Sequence, residues 1–238
     1  MILYGRNAVR EALRGRRSGS VREIWATEGA LREPWLRGLS PRPSSAGEIE
    51  RRCGSAAHQG VCAEAAGYPY VSAPELLAGE DPLIVALDEV QDPQNLGSIC
   101  RTAECAGAAG VAIPQRRSAE VTPAVCKASA GAVEHLKVAR VRNMADFLLD
   151  ARRAGCWCYG ASADARVPYD SPSYRGAGVV LVLGSEGRGL RPRVAEACDE
   201  LIALPLRGRV ESLGVSAAAA AVLYAILHDR LQDVEPNP

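Results

Sequence analysis

Three short segments carry residues whose types and spacing suit chemistry, and each follows a run of apolar residues. The first, residues 88–103, reads DEVQDPQNLGSICRTA and holds Asn95 and Arg101. The second, residues 184–190, reads GSEGRGL, and the third, residues 204–216, reads LPLRGRVESLGVS. In open parallel sheets, ligands bind beyond the carboxyl ends of the strands. The three segments therefore predict one binding site, if the apolar runs are neighbouring strands.

The residue types limit what such a site can bind. Asn95, Gly97 and Ser98 predict a helix start, whose free N–H groups favour an anion. Three glycines in 184–189 indicate positive φ angles or close backbone approach to a ligand, and Glu186 between them would repel a phosphate. A nucleoside or a cation fits that loop better. Each segment alone also fits an ordinary capped helix or a helix-packing face.

The elements that must position these segments alternate along the chain. Continuous apolar runs at 83–87 and 179–183 predict parallel strands buried on both faces. Shorter runs predict strands at 110–113, 138–141, 157–161 and 201–204. Helical patterns cover 95–107, 123–132, 143–154 and 215–231. This alternation predicts an α/β domain with a mainly parallel sheet.

The first 66 residues read as a smaller module. They predict helices at 7–14 and 47–52 and strands at 21–26 and 61–66. They carry 11 arginines against 7 glutamates, a charge of +4 that the rest of the chain offsets with −4. Two prolines near residue 70 indicate a linker. We therefore expect domains at 1–66 and 81–238, joined by a linker at 67–80.

Composition excludes several classes of protein. The chain has 238 residues, of which 47% are hydrophobic and 24% charged, as in soluble globular proteins. No apolar run reaches the roughly 18 residues of a membrane span, and the first residues carry no secretion signal. Its eight cysteines form no C-x-x-C pair and it has three histidines, so we expect no metal site and reduced thiols in the cytoplasm.

Taken together, the three segments resemble motifs one, two and three of the SpoU/TrmH class of SPOUT RNA methyltransferases. The family patterns are N-x-G-x-x-x-R-[TN]-A, G-x-E-x-x-G and I-P, a small loop, then S-L-N-V-S-x-A. The resemblance extends to residues 4–9, to 58–61 and to 131–134. Those features are similar to the RlmB-type branch, which modifies a guanosine ribose in large-subunit ribosomal RNA. The similarity covers nearly the whole chain.

The resemblance implies a trefoil-knotted α/β domain that binds S-adenosylmethionine in its knot, with a small N-terminal α/β domain that binds the RNA substrate. The implied reaction is methyl transfer from S-adenosylmethionine to a ribose 2′-hydroxyl, without a metal. The cofactor-binding residues implied by the motifs are Leu183, Gly184, Glu186, Gly187, Gly189, Leu204, Leu206 and Leu213.

The resemblance also implies four catalytic residues: Asn95, Arg101, Glu186 and Ser212. Arg101 matches the family's proposed base. Because arginine has a pKa above about 12, a charged Arg101 that orients the hydroxyl and stabilises the alkoxide is an equal alternative. The family is also thought to form its sites across a homodimer held through the knotted domain, so that Arg101 serves a neighbour's cofactor.

Ribosomal RNA is the partner that the resemblance implies, in the cytoplasm and without a membrane. Shape, splayed bases and 2′-hydroxyls usually decide RNA recognition, and the excess of arginine in the first module would attract phosphates. The expected RNA-binding residues are Arg6, Asn7, Arg10, His58 and Gln59.

One departure from the family pattern matters. The asparagine of S-L-N-V is Gly214 here, which removes a two-donor amide. Two alternatives stay open: a 2′-O-methyltransferase of transfer RNA and, because of Gly214, a non-catalytic RNA-binding or ribosome-assembly factor. A nucleotide-dependent oxidoreductase is disfavoured, because no dinucleotide fingerprint follows a first strand.

Overall fold

A computed structural model describes residues 1–210 and 212–232. The chain forms two compact units. Unit 1 comprises Met1–Pro69 and Glu120–His135, and unit 2 comprises Tyr70–Ala119 and Leu136–Pro238. The helices are α1 (Arg6–Ala12), α2 (Ala46–Cys53), α3 (Ala73–Leu77), α4 (Pro93–Cys105), α5 (Pro123–Ala128), α6 (Met144–Arg153), α7 (Pro192–Ala197) and α8 (Val215–Leu231). The strands are β1 (Ile2–Tyr4), β2 (Glu23–Ala26), β3 (Arg42–Pro43), β4 (Val61–Glu64), β5 (Leu83–Asp88), β6 (Gly110–Pro114), β7 (Lys137–Val141), β8 (Cys156–Ala161), β9 (Val167–Pro168), β10 (Gly178–Gly184) and β11 (Glu200–Ala203).

Unit 1 is built on a four-stranded sheet in the order β1-β4-β2-β3. Strand β4 pairs antiparallel with both β1 and β2, while the short β3 runs parallel to β2. Trp25, Ile49 and Cys62 form a core cluster between the sheet and α2. Ser45 starts α2 with a capping box to Glu48, which satisfies free N–H groups at both positions.

The segment 120–135 belongs with unit 1, although the sequence placed it in a domain spanning 81–238. Its Glu134 forms a buried ion pair with Arg17, whose Nε donates to Glu134 Oε2 at 2.8 Å. The hydroxyl of Tyr68 donates to the carbonyl of Val133 at 3.0 Å. A long-range ion pair leaves no local pattern in the sequence, so this grouping differs from the expected boundaries.

The expected linker at 67–80 is also more structured than its prolines indicated. It contains α3, which Ser72 caps by accepting a hydrogen bond from the Glu75 N–H. Val71 forms a parallel bridge with Ala139. Proline is well tolerated in the first turn of a helix, and Pro74 lies there.

Unit 2 contains a seven-stranded sheet in the order β7-β6-β5-β10-β8-β11-β9. Every pairing in it is parallel. This confirms the α/β class with a mainly parallel sheet. The two central strands, β5 and β10, are buried along almost their whole length, as continuous apolar runs require. The trefoil knot that the resemblance implies stays a prediction.

Most predicted elements of unit 2 lie within two or three residues of the observed ones. Asn143 caps α6 as expected, accepting from the Ala145 N–H at 3.0 Å. Helix α7 and strand β9 escaped prediction, since they have six and two residues. The predicted helix 123–132 ends early, at Ala128, and a turn at Gly131 separates it from a short 3₁₀ helix, Ala132–Glu134.

The register of the sheet places the predicted site. Gly184 lies opposite Asp88, so β10 and β5 end side by side. The segments after β5, β10 and β11 therefore leave the same edge of the sheet. Among the residues described, no helix is long and apolar enough to cross a membrane.

Candidate active site

A cavity of about 590 Å³ lies at the carboxyl ends of β8, β10 and β11. Most of its lining is aliphatic side chain or glycine backbone, and Glu186 is the one ionisable side chain among its described lining residues. The predicted residues that line it are Leu183, Gly184, Glu186, Gly187, Gly189, Leu204, Leu206, Ser212 and Leu213. The structure thus brings all eight predicted cofactor-binding residues, and Ser212, to one place. We call this space the glycine-loop cavity.

The loop 184–190 folds back on itself. Ser185 and Gly189 exchange two backbone hydrogen bonds, of 3.2 and 2.9 Å. A Cβ atom on Gly184 would lie 2.1 Å from the carbonyl carbon of Gly189, which is far inside contact distance. Glycine is therefore required at 184, and the loop presents bare backbone to the cavity.

Asn95 reaches this loop from the first turn of α4. Asp92 caps that helix by accepting from the N–H groups of Gln94 and Asn95. The Asn95 side chain then donates from Nδ2 to Glu186 Oε1 at 3.2 Å. The contact joins segments 91 residues apart, and it links motif one to motif two.

Ser212, Leu213 and Gly214 form the third wall. Leu213 is 52% exposed, although it is apolar. Gly214 precedes α8 with φ 76° and ψ 145°, a combination that strains any residue with a Cβ. A Cβ on Gly214 would lie 3.6 Å from Glu186 Oε1. A side chain here would therefore point toward the Asn95–Glu186 pair.

Arg101 does not line the cavity. It lies on the exposed side of α4, two turns after Asn95. Among the described residues, its guanidinium forms no hydrogen bond or ion pair with a protein group. The structure thus brings Asn95, Glu186 and Ser212 together and leaves Arg101 apart from them within one chain.

An ion pair between the half-exposed Arg191 and the buried Asp88 holds the end of the loop against β5. The carboxylate of Asp88, which is fully buried, accepts from the Arg191 backbone N–H at 2.9 Å and from its Nε at 2.8 Å. This pairing raises the pKa of Arg191 and keeps its guanidinium charged. Neither residue is a predicted site residue, because neither stands at a motif position.

The cavity also contains residues outside the motif positions. Ala161 ends β8, and Ser162 and Ala163 follow it. Val222 comes from α8, on the face that also carries the motif-three residues Val215 and Ala218. The predicted strand 157–161 ends at the same residue as β8, Ala161, which lines the cavity. Small aliphatic side chains carry no chemical signature in a sequence, so only the fold reveals them.

The residues expected to bind RNA lie in unit 1. Arg6 and Asn7 are exposed at the start of α1, and Gln59 is exposed beside them. The Arg6 backbone N–H donates to Gln59 Oε1 at 3.1 Å, and Arg6 also pairs with Glu33. Arg10 is half-buried and pairs with Glu11.

His58 differs from the other four. His58 is buried, and its Nδ1 accepts a hydrogen bond from the Gly60 N–H at 2.9 Å. Gln59 and Gly60, the next residues along the turn, both have positive φ. This arrangement gives His58 a structural role in shaping the turn that presents Gln59.

Chemically, the glycine-loop cavity suits a ligand with an apolar or aromatic body and a positive charge. Its volume is in the range of sites for drug-sized molecules and cofactors. A single carboxylate at its edge favours a cationic group, and free backbone groups of the loop can bind a nucleoside edge. Within residues 1–210 and 212–232, no three metal-ligating side chains cluster.

Comparison with known proteins decides the family. Residues 82–224 match the model of the SpoU rRNA Methylase family. The chain belongs to that family. It is 43% identical over 178 residues to a putative TrmH family tRNA/rRNA methyltransferase of Bacillus subtilis, covering 73% of this chain and 71% of the relative. It is 36% identical to the 23S rRNA (guanosine-2′-O-)-methyltransferase of Pseudomonas syringae, covering 98% of both.

Solved structures agree with the fold. An AdoMet-bound rRNA methyltransferase from Sinorhizobium meliloti superimposes with a TM-score of 0.79 at 25% identity, covering 99% of this chain and 88% of that one. The expected family is thereby confirmed. Family membership makes the chain an RNA methyltransferase.

Proposed function

We propose that the chain transfers a methyl group from S-adenosylmethionine to a ribose 2′-hydroxyl of RNA, a guanosine of large-subunit ribosomal RNA in the cytoplasm. The observation that carries this proposal is the glycine-loop cavity. It unites the residues of motifs two and three and touches motif one through Asn95 and Glu186. The relative from Pseudomonas syringae, similar along the whole chain, supports the guanosine.

The residues of the cavity fit this cofactor. When bound, S-adenosylmethionine supplies a methyl group on a positively charged sulfonium. Glu186 places the one ionisable side chain of the described lining in this cavity, where its carboxylate attracts a cation. Gly184 and Gly189 allow an adenosine to approach bare backbone, since a Cβ on Gly184 would meet Gly189.

Asn95 acts through Glu186, whereas Ser212 acts on the RNA. Asn95 donates to the Glu186 carboxylate at 3.2 Å and so fixes its direction. Ser212 lines the same cavity, where its hydroxyl can donate to a phosphate next to the target ribose. In-line displacement depends on holding the 2′-oxygen and the methyl group in line, and this orientation matters more than the acidity of any side chain in the site.

Arg101 completes the site as a cation beside the attacking oxygen. It orients the 2′-hydroxyl and stabilises the developing alkoxide while the proton passes to the RNA phosphate near Ser212 or to water, because an arginine stays charged at neutral pH. The alternative is that Arg101 is the base itself. An Arg101→Lys variant separates the two: a base role predicts a new rise of rate with pH near the lysine pKa, and a charge role does not.

We further propose that two chains share each site, in a homodimer formed through the knotted domain. Arg101 is exposed on α4 and, among the described residues, forms no hydrogen bond or ion pair in its own chain. Helix α8 packs on α4, and its large apolar residues Tyr224 and Leu231 lie exposed. Exposed apolar residues on one helix face are a feature of interaction surfaces.

Unit 1 is proposed as the RNA substrate-binding domain. Arg6 and Gln59 are exposed and joined by two hydrogen bonds, Asn7 is exposed next to Arg6 on α1, and the half-buried Arg10 follows on the same helix. Their guanidinium and amide donors suit phosphates and the edges of unstacked bases. His58 supports the turn and does not contact the RNA in this proposal.

Methyl transfer tests the proposal directly. The purified chain is incubated with labelled S-adenosylmethionine and unmodified ribosomal or transfer RNA, and the RNA is digested to nucleosides. We expect label in 2′-O-methylguanosine from ribosomal RNA. Arg101→Ala should abolish it, while Arg166→Ala, an exposed arginine of unit 2 outside the cavity, should leave the rate unchanged.

Two other outcomes would replace this function. Label only in transfer RNA would assign the chain to transfer-RNA modification, as the generic names of several relatives also allow. RNA binding without any methyl transfer, with ribosome-assembly particles also offered, would indicate a binding factor. Gly214, in place of the family asparagine, is the feature that favours this last outcome.

A further inference from the structure

A second cavity of unit 2, of about 670 Å³, lies beyond the ends of β5, β6 and β7. The arginines that line it are Arg116, Arg117, Arg142, Arg191 and Arg193. We call it the arginine pocket. It shares no lining residue with the glycine-loop cavity, and none of the motifs accounts for it.

Its carboxylates do not cancel this charge. Glu89 lies between two of the arginines, 3.3 Å from Arg191 and 3.7 Å from Arg117. Asp146 lies in the first turn of α6, where the helix dipole favours it. Even with the buried Asp88 counted, five guanidinium groups face three carboxylates.

Three of the arginines have no partner of their own. Arg116, Arg142 and Arg193 are exposed and form no hydrogen bond or ion pair with any group in the part of the chain that the structure describes. They come from three different segments: the loop after β6, the loop after β7 and the first turn of α7. Like charges brought together in this way repel one another unless an anion lies between them.

The position of the pocket relates it to the proposed reaction. Gly189 lines the glycine-loop cavity and Arg191, two residues later, lines the arginine pocket. Two residues of extended chain span at most about 7 Å. Since the rise per nucleotide of one strand is about 3.4 Å, the cavities are within a few nucleotides of each other.

We infer that the arginine pocket binds phosphate groups of the RNA backbone next to the nucleotide that is methylated. Guanidinium forks match phosphate oxygens in pairs, and arginine is the residue that suits such contacts. Unit 2 then grips its own substrate, beyond the contacts proposed for unit 1. This inference rests on the proposed function, because it takes RNA to be the substrate.

The test compares two double variants of equal charge. Arg116→Gln/Arg142→Gln removes two partnerless arginines of the pocket. Arg153→Gln/Arg166→Gln removes two exposed arginines of unit 2 that line neither cavity. Binding of a fluorescein-labelled single-stranded RNA of 30 nucleotides is measured by anisotropy over a range of salt concentrations.

The pocket double should bind this RNA roughly tenfold more weakly at 0.1 M salt. The slope of log affinity against log salt should fall by about 1.4, which is the loss of two phosphate contacts. Arg116→Lys/Arg142→Lys should recover the slope but only part of the affinity, since lysine keeps the charge and loses the fork. S-adenosylmethionine binding, measured by calorimetry, should match wild type in all of them.

Equal losses in the two Gln doubles would overturn the inference, because general charge would then explain both. Unchanged RNA binding in the pocket double would overturn it as well. Adenosine monophosphate serves as a second probe: if it binds as tightly as the RNA and depends on the same arginines, the pocket is a mononucleotide site instead. Wild-type protein that binds no RNA and transfers no methyl group would refute the proposed function. Normal wild-type activity, together with unchanged RNA binding by Arg116→Gln/Arg142→Gln, would refute this inference alone.

Discussion

At the scale of single residues, Gly214 stands where the family pattern has an asparagine. Its φ of 76° with ψ of 145° lies in a region that glycine alone adopts without cost. The space beside it is open, since a Cβ would meet Glu186 Oε1 at 3.6 Å. The backbone angles, and not a lack of space, therefore favour glycine at position 214. With glycine there, the chain lacks the amide side chain that the family pattern has at this position.

Gly214→Ala should weaken binding of S-adenosylmethionine by roughly tenfold. The strain of a Cβ at this φ costs about 1–3 kcal/mol, and it acts on the wall of the cavity and not on the core. Isothermal titration calorimetry measures the change. Gly208→Ala in the same loop is the control, because its φ is not positive and nothing lies within 4 Å of its Cβ. Equal affinities of the two variants would contradict the argument.

The cysteines make a second residue-scale prediction. Burial raises the pKa of Cys62 to about 11 and that of Cys126 and Cys198 to about 12, because the charged thiolate is desolvated. A pKa of 11 leaves about one thiol in a thousand ionised at pH 8, and the thiolate is the reactive form. Iodoacetamide at pH 8 should therefore alkylate the exposed Cys105 first. Mass spectrometry of the folded protein that found Cys126 modified as fast would refute this.

The motif positions that carry the family resemblance supplied the expected cofactor residues, and all eight line one cavity. The apolar runs had marked β5, β10 and β11, the strands that lead into the three motif segments. Asp88, Arg191 and the small residues after β8 escaped prediction. Their roles depend on which strands lie side by side, and neighbouring strands here are far apart in sequence.

At the scale of elements, the hydrophobic periodicity of the sequence predicts the strands and helices of unit 2. It does not predict which segments pack together in each unit. Helix α8 begins and ends where the apolar pattern placed it, Val215–Leu231. The segment 120–135, by contrast, leaves the second module in sequence and packs with the first. The fully buried Glu134 and Arg17 fix that grouping, and a charged pair 117 residues apart gives no periodic signal.

Glu134→Ala should destabilise unit 1 strongly. Removing one member of a buried ion pair leaves Arg17 charged and unpaired, at a cost of about 3–5 kcal/mol. Urea unfolding followed by tryptophan fluorescence measures this, since Trp25 and Trp35 belong to unit 1. Glu23→Ala breaks an exposed pair with Arg42 and should cost less than about 1 kcal/mol.

A repair variant makes that prediction sharper. Arg17→Met/Glu134→Leu removes both charges, so no guanidinium stays buried without a partner, and much of the lost stability should return. If the double variant were as unstable as Glu134→Ala, packing and not charge would explain the loss. If Glu134→Ala matched Glu23→Ala, the ion pair would not hold the segment in unit 1.

At the scale of the whole molecule, the exposed face of α8 and the unpaired Arg101 both point to a second copy of the chain. Ala217, Tyr224 and Leu231 recur at seven-residue spacing on the solvent side of α8, and Tyr224 and Leu231 are more than half exposed. A stripe of this kind is normally covered by another surface. A second copy of the chain, meeting α8 and α4, would cover it and bring a second Arg101 to the site.

Two inactive variants should therefore restore activity when they share a dimer. Arg101→Ala keeps its cavity and loses the cation, whereas Gly184→Val keeps Arg101 and blocks the loop, since a Cβ there would overlap Gly189. A heterodimer of the two, purified through different tags on each chain, holds one complete site if Arg101 acts on its partner's cavity. It should show about half of the wild-type rate per dimer. With Arg101 acting in its own chain, every site carries one lesion and the heterodimer is as inactive as its parents; a wild-type chain that sediments as a monomer would refute the shared site outright.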